Sequence, residues 1–173
     1  LHAIPQINQT TIDYITALQQ QDFEGESESS YSARLSLATD NSVYQQLPQA
    51  ILFPKSVADL MRLTKVAQRE AFFSLTFTPR GGGTGTNGQS LNNNIIVDLS
   101  RHMNKILEIN VEERWVRVQS GVVKDQLNQY LKPFGLFFAP ELSTSNRATI
   151  GGMINTDASG QGSLQYGKTS DHV

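Results

Sequence analysis

The chain has 173 residues, a length that fits one domain or a pair of subdomains. Hydrophobic residues make up 38% and charged residues 17%, a balance that supports a buried core and excludes wholesale disorder. The net charge of −2 argues against nucleic acid as the main partner, and the lack of cysteine excludes disulfides, thiolate nucleophiles and iron–sulfur ligation by this segment.

No apolar run approaches the roughly 20 residues of a membrane span, and no signal-peptide pattern is present. The chain starts at Leu1 rather than Met and stops at Val173 just after a glycine-rich stretch, so it reads as a fragment. Thr10 to Gln21 is expected to be a helix, with Thr10 as N-cap and Ile12, Ile15 and Leu18 on one face. Residues 23–30 are polar and loop-like, and Tyr31 to Leu37 can form a further helical turn. Ala50 to Phe53 is an apolar run ended by Pro54 and reads as a buried strand.

Ser56 and Asp59 form a capping box for a second helix, with Val57, Leu60, Met61 and Thr64 predicted to face inward. Phe73 to Thr78 is rich in aromatic and β-branched residues and is expected to be a strand, and Ile95 to Asp98 another. This βαβ order predicts a parallel pair. Lys105 to Asn110 and Trp115 to Gln119 flank a polar turn and predict a hairpin. Val123 to Leu131 reads as a helix ended by Pro133, and the remainder is loop-rich. No internal repeat is present.

Ten of the thirteen glycines fall in two stretches. The first is Pro79-Arg80-Gly81-Gly82-Gly83-Thr84-Gly85-Thr86-Asn87-Gly88; the second is Thr149-Ile150-Gly151-Gly152, continuing to Gly160, Gly162 and Gly167. Clustered glycine points to a backbone that turns through positive φ and comes close to a ligand, its N–H groups converging on an anion. The first stretch has no lysine of a P-loop. Gly83 to Gly88 matches G-x-G-x-x-G, but no helix signal follows it, which disfavours a Rossmann site. What remains is a diphosphate loop between two strands, with the Thr84 and Thr86 hydroxyls assisting; a flexible surface loop is the bland alternative. Arg80 suits a phosphate partner or a structural pairing equally.

Together these stretches resemble the FAD-binding domain of the FAD-linked oxidase family, the fold shared with vanillyl-alcohol oxidase and p-cresol methylhydroxylase (PCMH). The likeness rests on the Pro79–Gly88 loop and on Ala148-Thr149-Ile150-Gly151-Gly152, Asp157-Ala158-Ser159-Gly160 and Tyr166-Gly167-Lys168-Thr169-Ser170-Asp171, and it covers residues 46–173. Ala38 to Ser42 and Pro140 to Arg147 add a closer likeness to large bacterial flavoproteins in which an FAD domain is fused to an iron–sulfur region and oxidises D-2-hydroxy acids.

The resemblance implies an α+β, PCMH-type fold: a lead-in over 1–46, a βαβ subdomain over 47–104, and a mainly antiparallel subdomain over 105–173, truncated at its end. It implies that Arg80, Gly81, Gly82, Gly83, Thr84, Gly85, Thr86 and Asn87 hold the diphosphate. Pro140, Leu142 and Ser143 would line the flavin; Thr149, Gly151, Gly152, Asp157, Ala158, Gly160, Gly167 and Asp171 would lie against the cofactor. Thr84 stands where some relatives carry a flavin-linking histidine, and no cysteine exists, so non-covalent FAD is expected. Asp157 stands where asparagine is common, and an ionised carboxylate cannot donate.

The implied reaction is oxidation of a D-2-hydroxy acid of the D-2-hydroxyglutarate, D-lactate or glycolate type, with an electron acceptor and any iron–sulfur cluster outside this segment. A cytoplasmic location follows, with or without peripheral attachment to the inner membrane. His2, His102 and His172 show no metal-ligand or base pattern, so the catalytic groups are expected elsewhere in the polypeptide, and the segment alone is expected to be inactive. The rivals are a non-catalytic phosphate-binding module and a structural domain of the same fold.

Overall fold

The computed structural model describes residues 5–173, so His2 lies outside the described residues. The chain divides into two compact units: one runs up to Arg80 and resumes from Gly85 to Asp98, and the other comprises Gly81–Thr84 and Leu99–Val173.

The first unit is built on a four-stranded sheet in the order β1-β2-β4-β3, from β1 (Glu26–Glu28), β2 (Ala50–Phe53), β3 (Phe77–Arg80) and β4 (Ile95–Asp98). β4 lies parallel to both β2 and β3, and β1 adds antiparallel to β2. Every residue of β2 and β4 is buried, as central parallel strands covered on both faces require. Ile51, Phe53 and Ile96 pack with Ala33 and Leu37 at helix α2 (Tyr31–Ser36). Helices α1 (Gln9–Gln19) and α3 (Val57–Ala67) pack on each other, joined by the buried Tyr14, whose hydroxyl donates to the Leu63 carbonyl at 3.0 Å. The Tyr14 ring meets Phe72 edge-on at 5.3 Å and Phe77 at 5.1 Å.

Several expectations are corrected here. The α1 N-cap is Asn8, whose side chain accepts the Thr11 N–H at 2.8 Å, and the helix buries Thr11, Tyr14 and Leu18, leaving Ile12 exposed. The buried face follows packing against α3 and the 3₁₀ turn at residues 70–72, where Tyr14 bonds Leu63 and meets Phe72. Residues 23–30 are not all loop, because Glu26–Glu28 pairs with the edge of β2. α3 buries Asp59, Leu63 and Val66 and leaves Val57 and Met61 exposed. Ser56 does cap it, accepting the Asp59 N–H at 3.1 Å, but the Asp59 carboxylate reaches elsewhere.

The third strand starts later than expected. Residues 70–72 form a 3₁₀ turn that places Phe72 against Tyr14 and leaves Phe73 exposed, and β3 then includes Pro79. Pro79 lacks an N–H and is tolerated because β3 is an edge strand.

The second unit holds the expected hairpin, β5 (Ile106–Asn110) with β6 (Trp115–Val118), and helix α4 (Lys124–Leu131). Pro133 lies inside a short 3₁₀ turn, 132–134, which closes on Gly135 at φ 69°. The core is Val122, Leu127, Leu131, Ala148, Ile150 and Met153, against which the inner residues of the hairpin pack. The region after residue 148 is largely helical rather than loop: α5 (Ile150–Thr156), α6 (Ser163–Tyr166) and a 3₁₀ turn, 169–172. Gly151 and Gly152 misled the sequence reading; they sit in the first turn of α5, where Ile150 and Met153 bury the helix and override glycine's poor helix propensity.

Asp59 is the polar anchor of the first unit. It is fully buried, and its carboxylate accepts the Glu24 N–H at 3.0 Å, the Lys55 N–H at 2.9 Å and an Arg62 N–H at 3.3 Å. Replacing Asp59 by Ala leaves two main-chain donors unpaired and should cost about 3 kcal/mol of stability. Urea denaturation measures this, and a loss below about 1 kcal/mol would show that the anchor is dispensable.

Candidate functional site

Arg80 fixes the entrance to the first glycine loop. Its guanidinium is buried and donates to the carbonyls of Leu37 at 3.2 Å, Thr39 at 2.7 Å and Ser90 at 3.5 Å. Of the two readings open for this side chain, the structural pairing describes what it touches. Asp40 lies beside it. Burial pushes the Asp40 carboxyl up, but hydrogen bonds from Ser42 and Ser90 and the Arg80 charge outweigh burial and hold it below the usual carboxylate range.

Beyond Arg80 no helix opens, so the arrangement differs from a Rossmann turn. Gly83 takes a left-handed φ of 63°. From Gly82 to Thr86 none of the five main-chain N–H groups donates to an acceptor among the described residues, and neither threonine hydroxyl has a partner there. The next N–H, that of Asn87, donates to the Gln89 side chain at 3.0 Å, and the same side chain covers Gly85. Gly88 turns the chain at φ 74° beside Tyr44.

In the second unit, Gly81–Thr84 pack on the start of the second glycine stretch. A β-carbon on Gly81 would lie 2.1 Å from the Thr149 Oγ1, and one on Gly82 would lie 2.1 Å from the Arg147 carbonyl oxygen. Arg147 also donates from its guanidinium to the Gly82 carbonyl at 3.0 Å. Thr149 is buried and caps α5 by accepting the Gly152 N–H at 3.3 Å. Residues 120–124 run alongside: Ile150 N–H donates to Val122 at 2.8 Å, Gly151 N–H to Ser120 at 2.8 Å, and Lys124 N–H to Ala148 at 3.0 Å.

The remaining expected site residues fall into three groups. Gly151 lies against Ser120, while Gly152 is exposed and meets only Thr149. Pro140 is buried, Leu142 packs on the core and Ser143 is exposed; Gly160 sits hard against the Glu141 carbonyl, where no β-carbon fits. Asp157 ends α5 at φ 45°, and Ala158 follows with its carbonyl accepting from Thr169 at 2.7 Å. The Asp157 carboxylate pairs with Lys168 and accepts the Ser170 N–H at 2.9 Å. Gly167, at φ 77°, abuts Asp171, whose carboxylate accepts the Lys168 N–H at 2.8 Å. At Gly81, Gly82, Gly151 and Gly160, then, the close approach that requires glycine is made by the protein's own chain.

Sequence reasoning missed the contacts of Arg147, Gln89 and Ser120, which no motif spacing flags. His172 contacts the Tyr166 carbonyl at 2.6 Å, and His102 is half-buried in the turn after β4. Among the described residues no metal-binding cluster occurs, and no helix is long and apolar enough to cross a membrane.

The Lys168 ammonium is the main reason that the Asp157 carboxyl is held down at about 2, with the Ser170 N–H adding to it. A folded-state value below the ordinary 3.8 stabilises the fold above about pH 4, and this contribution fades as pH falls toward 2. A carboxyl NMR titration should place Asp157 near 2 and show an upward move in Lys168→Met. A wild-type midpoint near 4 would show that the pair does not form in solution.

Comparison with known proteins follows the same geometry. Residues 48–173 match the FAD binding domain family. The chain is 76% identical over its whole length to a D-2-hydroxyglutarate dehydrogenase of Haemophilus influenzae and 65% identical over 98% of its length to one of Escherichia coli. It spans 17% of the length of each of these curated relatives. A solved alkyldihydroxyacetonephosphate synthase shares the fold, with a TM-score of 0.79 at 23% identity over 99% of this chain and 34% of that one. With its parallel βαβ unit, its hairpin and its two glycine stretches, the chain belongs to the FAD binding domain family.

Proposed function

We propose that this chain is the FAD-binding portion of a dehydrogenase that oxidises a D-2-hydroxy acid, D-2-hydroxyglutarate first among them, to the 2-oxo acid. The observation that carries the reading is the run of five main-chain N–H donors from Gly82 to Thr86 without acceptors among the described residues. A diphosphate offers only acceptors, so these donors fit it without competition. The identity to the two dehydrogenases named above supports the substrate class.

In this reading Gly82, Gly83, Thr84, Gly85 and Thr86 bind the diphosphate through main-chain N–H groups, and the two threonine hydroxyls add donors. Gly83 takes a φ of 63° that glycine adopts without strain. Thr149 supports the loop beneath Gly81, the exposed Gly152 presents a surface without a side chain, Gly151 lies beside it, and Pro140, Leu142 and Ser143 border the flavin. Bound FAD would supply a hydride acceptor for the substrate carbon while a base takes the hydroxyl proton.

The base and the substrate pocket belong to the remainder of the polypeptide, as do any iron–sulfur cluster and the route to the electron acceptor. We assign 47–104 and 105–173 as the two cofactor-binding subdomains and place the enzyme in the cytoplasm.

The test is FAD titration of the full-length polypeptide beside its Gly83→Asp variant, with flavin bleaching by D-2-hydroxyglutarate under anaerobic conditions. Aspartate at 83 sets a carboxylate among the donors and should weaken FAD binding at least a hundredfold, about 3 kcal/mol. Equal affinity in the variant would remove the loop from the site. Binding of ADP without FAD would favour the non-catalytic phosphate module.

A further inference from the structure

We infer that Arg147 is a positioning residue for the diphosphate loop, gripping the Gly82–Gly83 peptide from behind so that its N–H faces the anion. The inference rests on the flavin reading above. Arg147 holds Gly82 in two ways: its guanidinium donates to the Gly82 carbonyl at 3.0 Å, and its own carbonyl occupies the space where a Gly82 β-carbon would stand. Arg147 is itself fixed, because its N–H donates to the Thr144 carbonyl at 2.9 Å and that of Ala148 to the same oxygen at 2.8 Å. Its side chain is exposed and makes no ion pair among the described residues, so its charge is not spent on a carboxylate.

The peptide bond explains the consequence. No described peptide is cis, and in a trans peptide the carbonyl and the following N–H point in opposite directions. With the Gly82 carbonyl turned to Arg147, the Gly83 N–H must point away from it. Glycine on both sides lets that peptide turn more readily than other residues would, and a turned peptide would present a carbonyl oxygen to the anion. Arg147 removes this choice. It acts through the peptide rather than on the ligand, and its position two residues before Thr149 couples Gly82 to the start of the second glycine stretch within one unit.

The experiment compares full-length wild type with Arg147→Met and Arg147→Lys for the dissociation constants of FAD and of riboflavin, which lacks the diphosphate. Far-UV circular dichroism and the melting temperature of the apoprotein report folding. The expected result is an FAD dissociation constant raised about tenfold in Arg147→Met, the effect of losing one charged hydrogen bond. Riboflavin affinity and the melting temperature should be unchanged, and Arg147→Lys, which keeps one donor, should lose less.

Unchanged FAD affinity in Arg147→Met would overturn the assignment, as would equal weakening of FAD and riboflavin. Should Arg147→Met fail to fold, Arg147→Lys decides by the same FAD-to-riboflavin ratio. A wild-type polypeptide that binds no FAD would defeat the flavin reading itself, whereas binding by wild type with no effect of the substitutions defeats only the role of Arg147.

Discussion

At Gly82 and Arg147 two segments distant in sequence approach more closely than any β-carbon permits, and the path of the first glycine loop through Gly81 and Gly82 depends on that approach. Beyond Arg80 the loop has no helix to organise it, and from Gly81 to Thr86 no side chain of its own makes a hydrogen bond among the described residues. It is shaped by what lies behind it: Thr149 under Gly81, Arg147 under Gly82. Thr149 in turn caps α5, and the segment that carries it pairs with residues 122–124. Packing of Val122, Ala148, Ile150 and Met153 therefore reaches the loop through the main chain. The core of the second unit thus helps to set the path of Gly81 and Gly82.

The same economy runs through the first unit. Its strands are three or four residues long, too short to organise the connections between them by ladder bonds alone. Buried charged side chains do that work by bonding to main-chain groups: Asp59 to the N–H groups of Glu24 and Lys55, Arg34 to the carbonyls of Pro48 and Pro5, Arg80 to those of Leu37 and Thr39. Each of these charged hydrogen bonds contributes about 1.5–3 kcal/mol net, and an unpaired partner left in the interior costs the full desolvation of that group, so these contacts select one path for the chain. The entry to the first glycine loop, set by Arg80, is one of those selected paths.

Glycine has two uses here, and the sequence does not separate them. Gly83 and Gly167 are at positive φ. Gly81, Gly82, Gly151 and Gly160 are glycine because another part of the protein occupies the place of a side chain. The reading from sequence took close approach to mean approach to a ligand; for these four the nearest neighbour is the protein itself.

The sequence by itself determined the buried strands Ala50–Phe53 and Ile95–Asp98, the hairpin, helix α4, the Ser56 cap and the existence and order of the two glycine stretches. Those features depend on local apolar runs, turn residues and caps, which are written in contiguous residues. Tertiary structure decided the rest. It turned Tyr14 and Leu18, rather than Ile12, toward the core. It moved the third strand onto Pro79 because that strand is an edge, and made a helix of Ile150–Thr156 because Ile150 and Met153 are buried. It also gave Arg147 its partner, Gly82, 65 positions away. No periodicity or spacing encodes such a pairing, because a contact between remote backbones exists only once the segments carrying them have packed.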